Sequence, residues 1–144
     1  MPELTEEEKE RLEKLASELN IREFQTEVLK QQLTALTRSL SEYTAAAETL
    51  KSLQSESGEK ESLVLIGANC YVPAKLRYTD KVLVGVGAGV LVEKTLEGAV
   101  QILEGKIKEL QEALQNTRKE LEMVSAEAEK LRPELEKLLE KTRA

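Results

Sequence analysis

Two ladders of apolar residues, one at each end of the chain, constrain the fold more than any other feature. The first recurs at alternating steps of three and four through Leu12, Leu15, Leu19, Leu29, Leu33, Leu36, Leu40, Tyr43, Ala47 and Leu50. The second runs through Leu96, Val100, Leu103, Ile107, Leu110, Leu114, Leu121, Val124, Ala128, Leu131, Leu135 and Leu138. Only Arg22, Thr26 and Thr117 interrupt them. Such spacing is the seam of a coiled coil. Folding the chain back at Lys75 sets Leu12 opposite Leu138, Leu15 opposite Leu135, Leu19 opposite Leu131 and Leu50 opposite Val100. Each polar interruption then meets an apolar partner: Arg22 faces Ala128, Thr26 faces Val124 and Thr117 faces Leu33. The ladders therefore predict an antiparallel pair of helices within one chain. At a rise of 1.5 Å per residue, roughly 50 residues make arms about 75 Å long.

Thr5 followed by Glu8 has the form of a capping box, which places a helix start near Thr5. Neither proline nor glycine interrupts before Gly58, so the first helix is expected over 5–57 and the returning one over 95–141. Residues 59–94 differ in character. Short β-branched and apolar runs, Leu63 to Ile66, Cys70 to Leu76, Val82 to Val86 and Val90 to Val92, are divided by Gly67-Ala68-Asn69, Tyr78-Thr79-Asp80 and Gly87-Ala88. They predict four strands in two hairpins. Isolated hairpins are marginal in water and leave unpaired edges. The hub is therefore expected to complete a β-barrel with strands of other subunits. The fold class is α+β, a long antiparallel two-helix coiled coil with two central β-hairpins, read as a single domain over 1–144.

Composition narrows the function. Charged residues make up 33% of the chain and aromatics 3%, which suits helices joined along a seam rather than a thick core. A net charge of −6, with each basic stretch matched by neighbouring Glu, argues against nucleic acid. With no histidine and a single cysteine, Cys70, there is no basis for a His or Cys metal site, a His-assisted nucleophile or an internal disulfide. No cofactor is expected. The uncharged stretch Val82 to Val92 falls well short of the roughly 20 residues that span a membrane. The N-terminus lacks the basic start and apolar run of a secretory signal, and a cytoplasmic location is expected. The glycines of Val84-Gly85-Val86-Gly87-Ala88-Gly89 miss dinucleotide-loop spacing, because Val90 stands where the third glycine belongs. They read as hairpin turns. The many glutamates read as solvated helix faces, with Glu10 and Lys14, and Glu104 and Lys108, spaced for ion pairs within one helix.

Two features depart from the ladders. Ile21, Phe24 and Val28 lie off the seam beside Arg22 and Thr26; a local shift of register is expected to turn them inward, the alternative being an exposed patch that contacts a partner. Pro133 lies within the second ladder and is expected to loosen the seam near residue 132.

The order helix, two hairpins, helix, together with Leu63-Val64, Gly67-Ala68, Tyr71-Val72-Pro73-Ala74-Lys75-Leu76, Asp80-Lys81-Val82 and Val84-Gly85-Val86-Gly87-Ala88-Gly89-Val90-Leu91-Val92-Glu93-Lys94, resembles the prefoldin alpha subunit. Leu65 and Asn69-Cys70 depart from the archaeal pattern, and Tyr71 to Leu76 is closer to the eukaryotic alpha class. The resemblance implies a hexamer of two alpha-class and four beta-class subunits that acts as a chaperone without ATP. It would capture unfolded client proteins at the coiled-coil tips and deliver them to a group II chaperonin. Carried over by position, Leu63, Leu65, Val72, Leu76, Val82, Val84, Val86, Val90 and Val92 would build the subunit interface. Leu4, Leu12, Leu15, Leu135, Leu138 and Leu139 would hold clients. No catalytic residue is implied. The competing reading is a structural coiled-coil adaptor that tethers folded protein partners.

Overall fold

A computed structural model describes residues 3–54, 59–77 and 80–143. Helix α1 (Glu6–Gln54) is followed by strands β1 (Glu59–Gly67), β2 (Cys70–Arg77), β3 (Lys81–Gly87) and β4 (Val90–Thr95), then by helix α2 (Leu96–Arg143). The expected helix end at 55–57, the break at Gly58 and the divider Tyr78-Thr79 lie outside the described residues.

The start of α1 is fixed by its own side chains. The Thr5 amide donates to Glu8 Oε1 at 3.2 Å and the Glu8 amide donates to Thr5 Oγ1 at 3.1 Å, a reciprocal capping box. Helix α2 grows directly out of β4. Thr95 Oγ1 accepts from the Gly98 amide at 3.0 Å, and the Leu96 amide donates to the Asp80 carbonyl at 3.1 Å. The first turn of α2 is thereby tied to the base of the second hairpin.

The chain divides into two compact units. The first comprises residues 1–38 and 110–144. Within it every seam position from Leu12 to Leu36 and from Leu110 to Leu138 is buried or half-buried, and Leu15 has no exposed surface. Ion pairs cross the seam: Arg11 to Glu134, Arg22 to Glu127 at 2.6 Å, Arg132 to Glu23 at 3.4 Å and Lys141 to Glu8 at 2.5 Å. Each straddles position 75 almost symmetrically, in the fold-back register read from the sequence. The polar interruptions are satisfied locally. Thr26 Oγ1 donates to the Arg22 carbonyl and Thr117 Oγ1 to the Ala113 carbonyl, both at 2.8 Å.

That local satisfaction explains a departure from expectation. Ile21, Phe24 and Val28 do not turn inward; they are 50%, 72% and 36% exposed. Arg22 needs no rescue by a register shift, because its guanidinium reaches Glu127 at the seam's edge while Thr26 bonds its own backbone. Pro133 likewise neither ends α2 nor opens the seam, since pairs through Glu134 and Lys141 hold beyond it. Proline removes one backbone donor, the one owed to the Glu129 carbonyl. Pro133 lies on the exposed face, where solvent can take that donor's place.

The second unit comprises residues 39–109. Its helical part closes on Ala47, Leu96, Ala99 and Val100, all buried, with Lys51 paired to Glu104 at 2.6 Å. Glu104 thus reaches across to the other helix rather than along its own to Lys108. The hairpins form two separate antiparallel two-stranded sheets built alike. Each turns on two residues with positive φ, Ala68 and Asn69 in one, Ala88 and Gly89 in the other. This left-handed pair is the tight turn whose twist matches the strands. Each carries a bulge just before the turn, between Leu65 and Gly67 and between Gly85 and Gly87.

Candidate protein-binding site

Register decides which hairpin residues share a face. In the first hairpin Leu63 pairs with Pro73 and Leu65 with Tyr71, so these four side chains lie together. Val64 pairs with Val72 and Lys60 with Leu76, on the opposite face. The expected interface set is therefore split: Leu63 and Leu65 cannot line the same surface as Val72 and Leu76. The reason is geometric. A two-residue turn alone would leave an odd separation between paired residues and set Leu65 opposite Val72; the bulge at Ile66 makes the separation even, as in Leu65 to Tyr71, which spacing within one strand cannot reveal. In the second hairpin Val82, Val84, Val90 and Val92 do share a face, while Leu83 and Leu91 occupy the other and Val86 sits at the bulge.

Both faces are apolar and open. Leu63, Leu65, Ile66, Tyr71, Leu83 and Leu91 are each more than half exposed, and Val72, Leu76, Val86 and Val90 lie between 43% and 56%. Val82, Val84 and Val92 are half-buried. An exposed apolar surface of this extent, on two short two-stranded sheets, is a candidate surface for protein association.

The residues expected to hold clients fall differently. Leu4, Leu12, Leu135 and Leu138 are half-buried, Leu139 is 37% exposed, and Leu15 is wholly enclosed in the seam. Leu15 offers no surface while the helices are paired. Two cross-helix pairs clasp this end. Arg11 Nε and Nη2 donate to the two oxygens of Glu134 at 2.9 and 3.0 Å, and Lys141 Nζ donates to Glu8 Oε2. The Arg11 hydrogen bond holds the Glu134 carboxyl below its ordinary range, and Lys141 does the same for Glu8. Arg11 is raised in turn by Glu134. These groups are solvated, so each pair adds little to stability.

A third surface lies at the middle of the first unit. Phe24, Gln25, Val28, Leu29, Glu120, Met123, Val124 and Glu127 line a groove of about 420 Å³. Met123, 64% exposed, was not singled out by the ladders. The signal was present: applying the fold-back to off-seam residues sets Met123 beside Phe24 and Val28. Among the described residues no group of three His, Cys, Asp or Glu could hold a metal ion, and no helix is long and apolar enough to cross a membrane.

Comparison with known proteins places this architecture. The family model for the prefoldin subunit matches residues 22–141. Prefoldin subunit alpha 1 of Thermococcus kodakarensis is 37% identical over 97 residues, covering 67% of this chain and 66% of that protein. Prefoldin subunit alpha of Methanosphaera stadtmanae is 35% identical over 91 residues, covering 63% and 64%. The match thus spans just under two thirds of these relatives' length. Among solved structures, the cryo-EM structure of filamentous PFD from Methanocaldococcus jannaschii is similar at a TM-score of 0.69 and 27% identity, covering 83% of this chain and 98% of that one.

Proposed function

The chain belongs to the prefoldin family, and from that premise we propose that it is the alpha-class subunit of a chaperone that works without nucleotide. Two such subunits and four of the beta class make a hexamer through the hairpins. The observation that carries this reading is the pair of hairpins with apolar residues on both faces, exposed beside a seam that is already closed. Sheets of two strands with this much open apolar surface call for strands from neighbouring subunits.

In the assembly, several coiled-coil ends each offer a weak apolar contact. Weak contacts held together bind a non-native chain by multivalency, yet each releases easily, which suits transfer to a group II chaperonin. Leu4, Leu12, Leu135, Leu138 and Leu139 are the contact residues at these ends, and Leu15 joins them only where the seam opens. The role involves no catalysis, and the setting is the cytoplasm.

Native mass spectrometry with a beta-class partner should yield a defined heterohexamer. That complex should suppress thermal aggregation of an unrelated denatured protein in the absence of ATP, and trimming residues 3–15 and 132–143 should abolish the effect. A complex that ignores unfolded chains and keeps one folded partner would instead favour an adaptor.

A further inference from the structure

Among the described residues of the first unit's helices, Ile21, Phe24, Val28 and Met123 are large apolar side chains left exposed at one place, while Leu139 stands apart. The gathering coincides with the layers where Arg22 and Thr26 replace apolar seam residues, so apolar bulk is displaced from the seam to its flank. Around it the charge is one-sided. The only charged side chains lining the groove are Glu120 and Glu127. Glu127 is engaged by Arg22, whereas Glu120 makes no ion pair among the described residues.

We propose that this groove is a second client-binding site, remote from the arm ends, which takes an unstructured polypeptide segment carrying a large apolar side chain next to a lysine or arginine. The proposal rests on the chaperone reading above. The apolar anchor enters between Phe24, Val28 and Met123, whose flexible thioether adapts to different side chains. The neighbouring cation meets the free Glu120 carboxylate. A volume of about 420 Å³ admits one or two large side chains, which suits a segment and not a folded domain. A second copy of the chain is a poor occupant. Two such grooves face to face would set Glu120 and Glu127 against their counterparts, with no basic side chain lining either groove to offset them.

The test uses the full complex with beta-class partners and two fluorescent unstructured peptides, one alternating leucine with lysine, the other leucine with glutamate. Binding is read by anisotropy, and capture of a denatured protein is read in parallel. The lysine peptide should bind the tighter. Phe24→Ala should weaken it about tenfold and Glu120→Gln about threefold, while Glu120→Gln leaves the glutamate peptide unchanged. Phe24 is exposed, so its loss should leave helicity intact; if that variant misfolds, Glu120→Gln carries the test alone. Equal affinity for the two peptides, or lysine-peptide binding indifferent to Phe24→Ala and Glu120→Gln, overturns the groove site. If the denatured protein is still captured then, the chaperone reading stands without it. Peptide binding that obeys the pattern without any capture of denatured protein would keep the groove and sink the chaperone reading.

Discussion

The helical seam and the hairpins draw on the same aliphatic residues and treat them oppositely. In the seam, leucines close on one another in each unit, so Leu15, Leu19, Leu29 and Leu114 are at most 9% exposed. In the hairpins, leucines and valines on both faces stay open, from Leu63 at 67% to Leu76 at 43%, save for the half-buried Val82, Val84 and Val92. The difference is one of available partners. A helix stripe can be covered by a second helix of the same chain, whereas a two-stranded sheet has two faces and two edges and too few strands to cover them. The seam is thus a finished structure, and the hairpins are half of one.

Substitutions should separate the two regions. The largest expected effect is at Leu15, where truncation to alanine leaves a cavity in a fully enclosed layer and should cost about 3 kcal/mol in chemical denaturation of the lone chain. A loss below roughly 1 kcal/mol would mean that the seam is less tightly closed than its burial indicates. Next comes Pro133→Ala, which restores a helix donor at an exposed position and should stabilise by about 2 kcal/mol in the same assay. Leu65→Ser sharpens the contrast from the other side: the lone chain should change by about 0.5 kcal/mol or less, since the side chain is already in water. In native mass spectrometry, however, assembly with beta-class partners should be lost.

The smallest effect is that of pH on the clasp between Arg11 and Glu134 and between Lys141 and Glu8. Both carboxyls are held below their ordinary values, so in the folded state they bind protons more weakly than in the unfolded chain. Their contribution is therefore present at neutral pH and is lost as pH falls below the ordinary carboxylate range and through the lowered folded values. Thermal melts between neutral and acid pH should show a slight destabilisation that Glu134→Gln diminishes.

How far these regions were legible in the sequence follows from the kind of signal each carries. The seam was legible because a heptad repeat is a local, repeated mark, and the fold-back at position 75 follows from matching two such marks. Turn positions were legible from Gly67-Ala68-Asn69 and Gly87-Ala88-Gly89. Which residues share a hairpin face was not, because Ile66 and Val86 are inserted at bulges that exist only once strands have paired. Only the register parts Leu63 and Leu65 from Val72 and Leu76. The exposure of Phe24 is illegible in the sequence for another reason. A polar residue in a seam suggests a slipped register only if it lacks a partner, and Arg22 finds one in Glu127 on the other helix, which no local window contains.

The junction at Thr95 has a mechanical consequence. It is the last residue of β4 and also the cap of α2, and with Leu96 held by the Asp80 carbonyl there is no slack between sheet and helix. Whatever neighbouring strands do to the tilt of β4 is handed undamped to the opening turns of α2, as a wrist without a loose joint hands its rotation to the forearm.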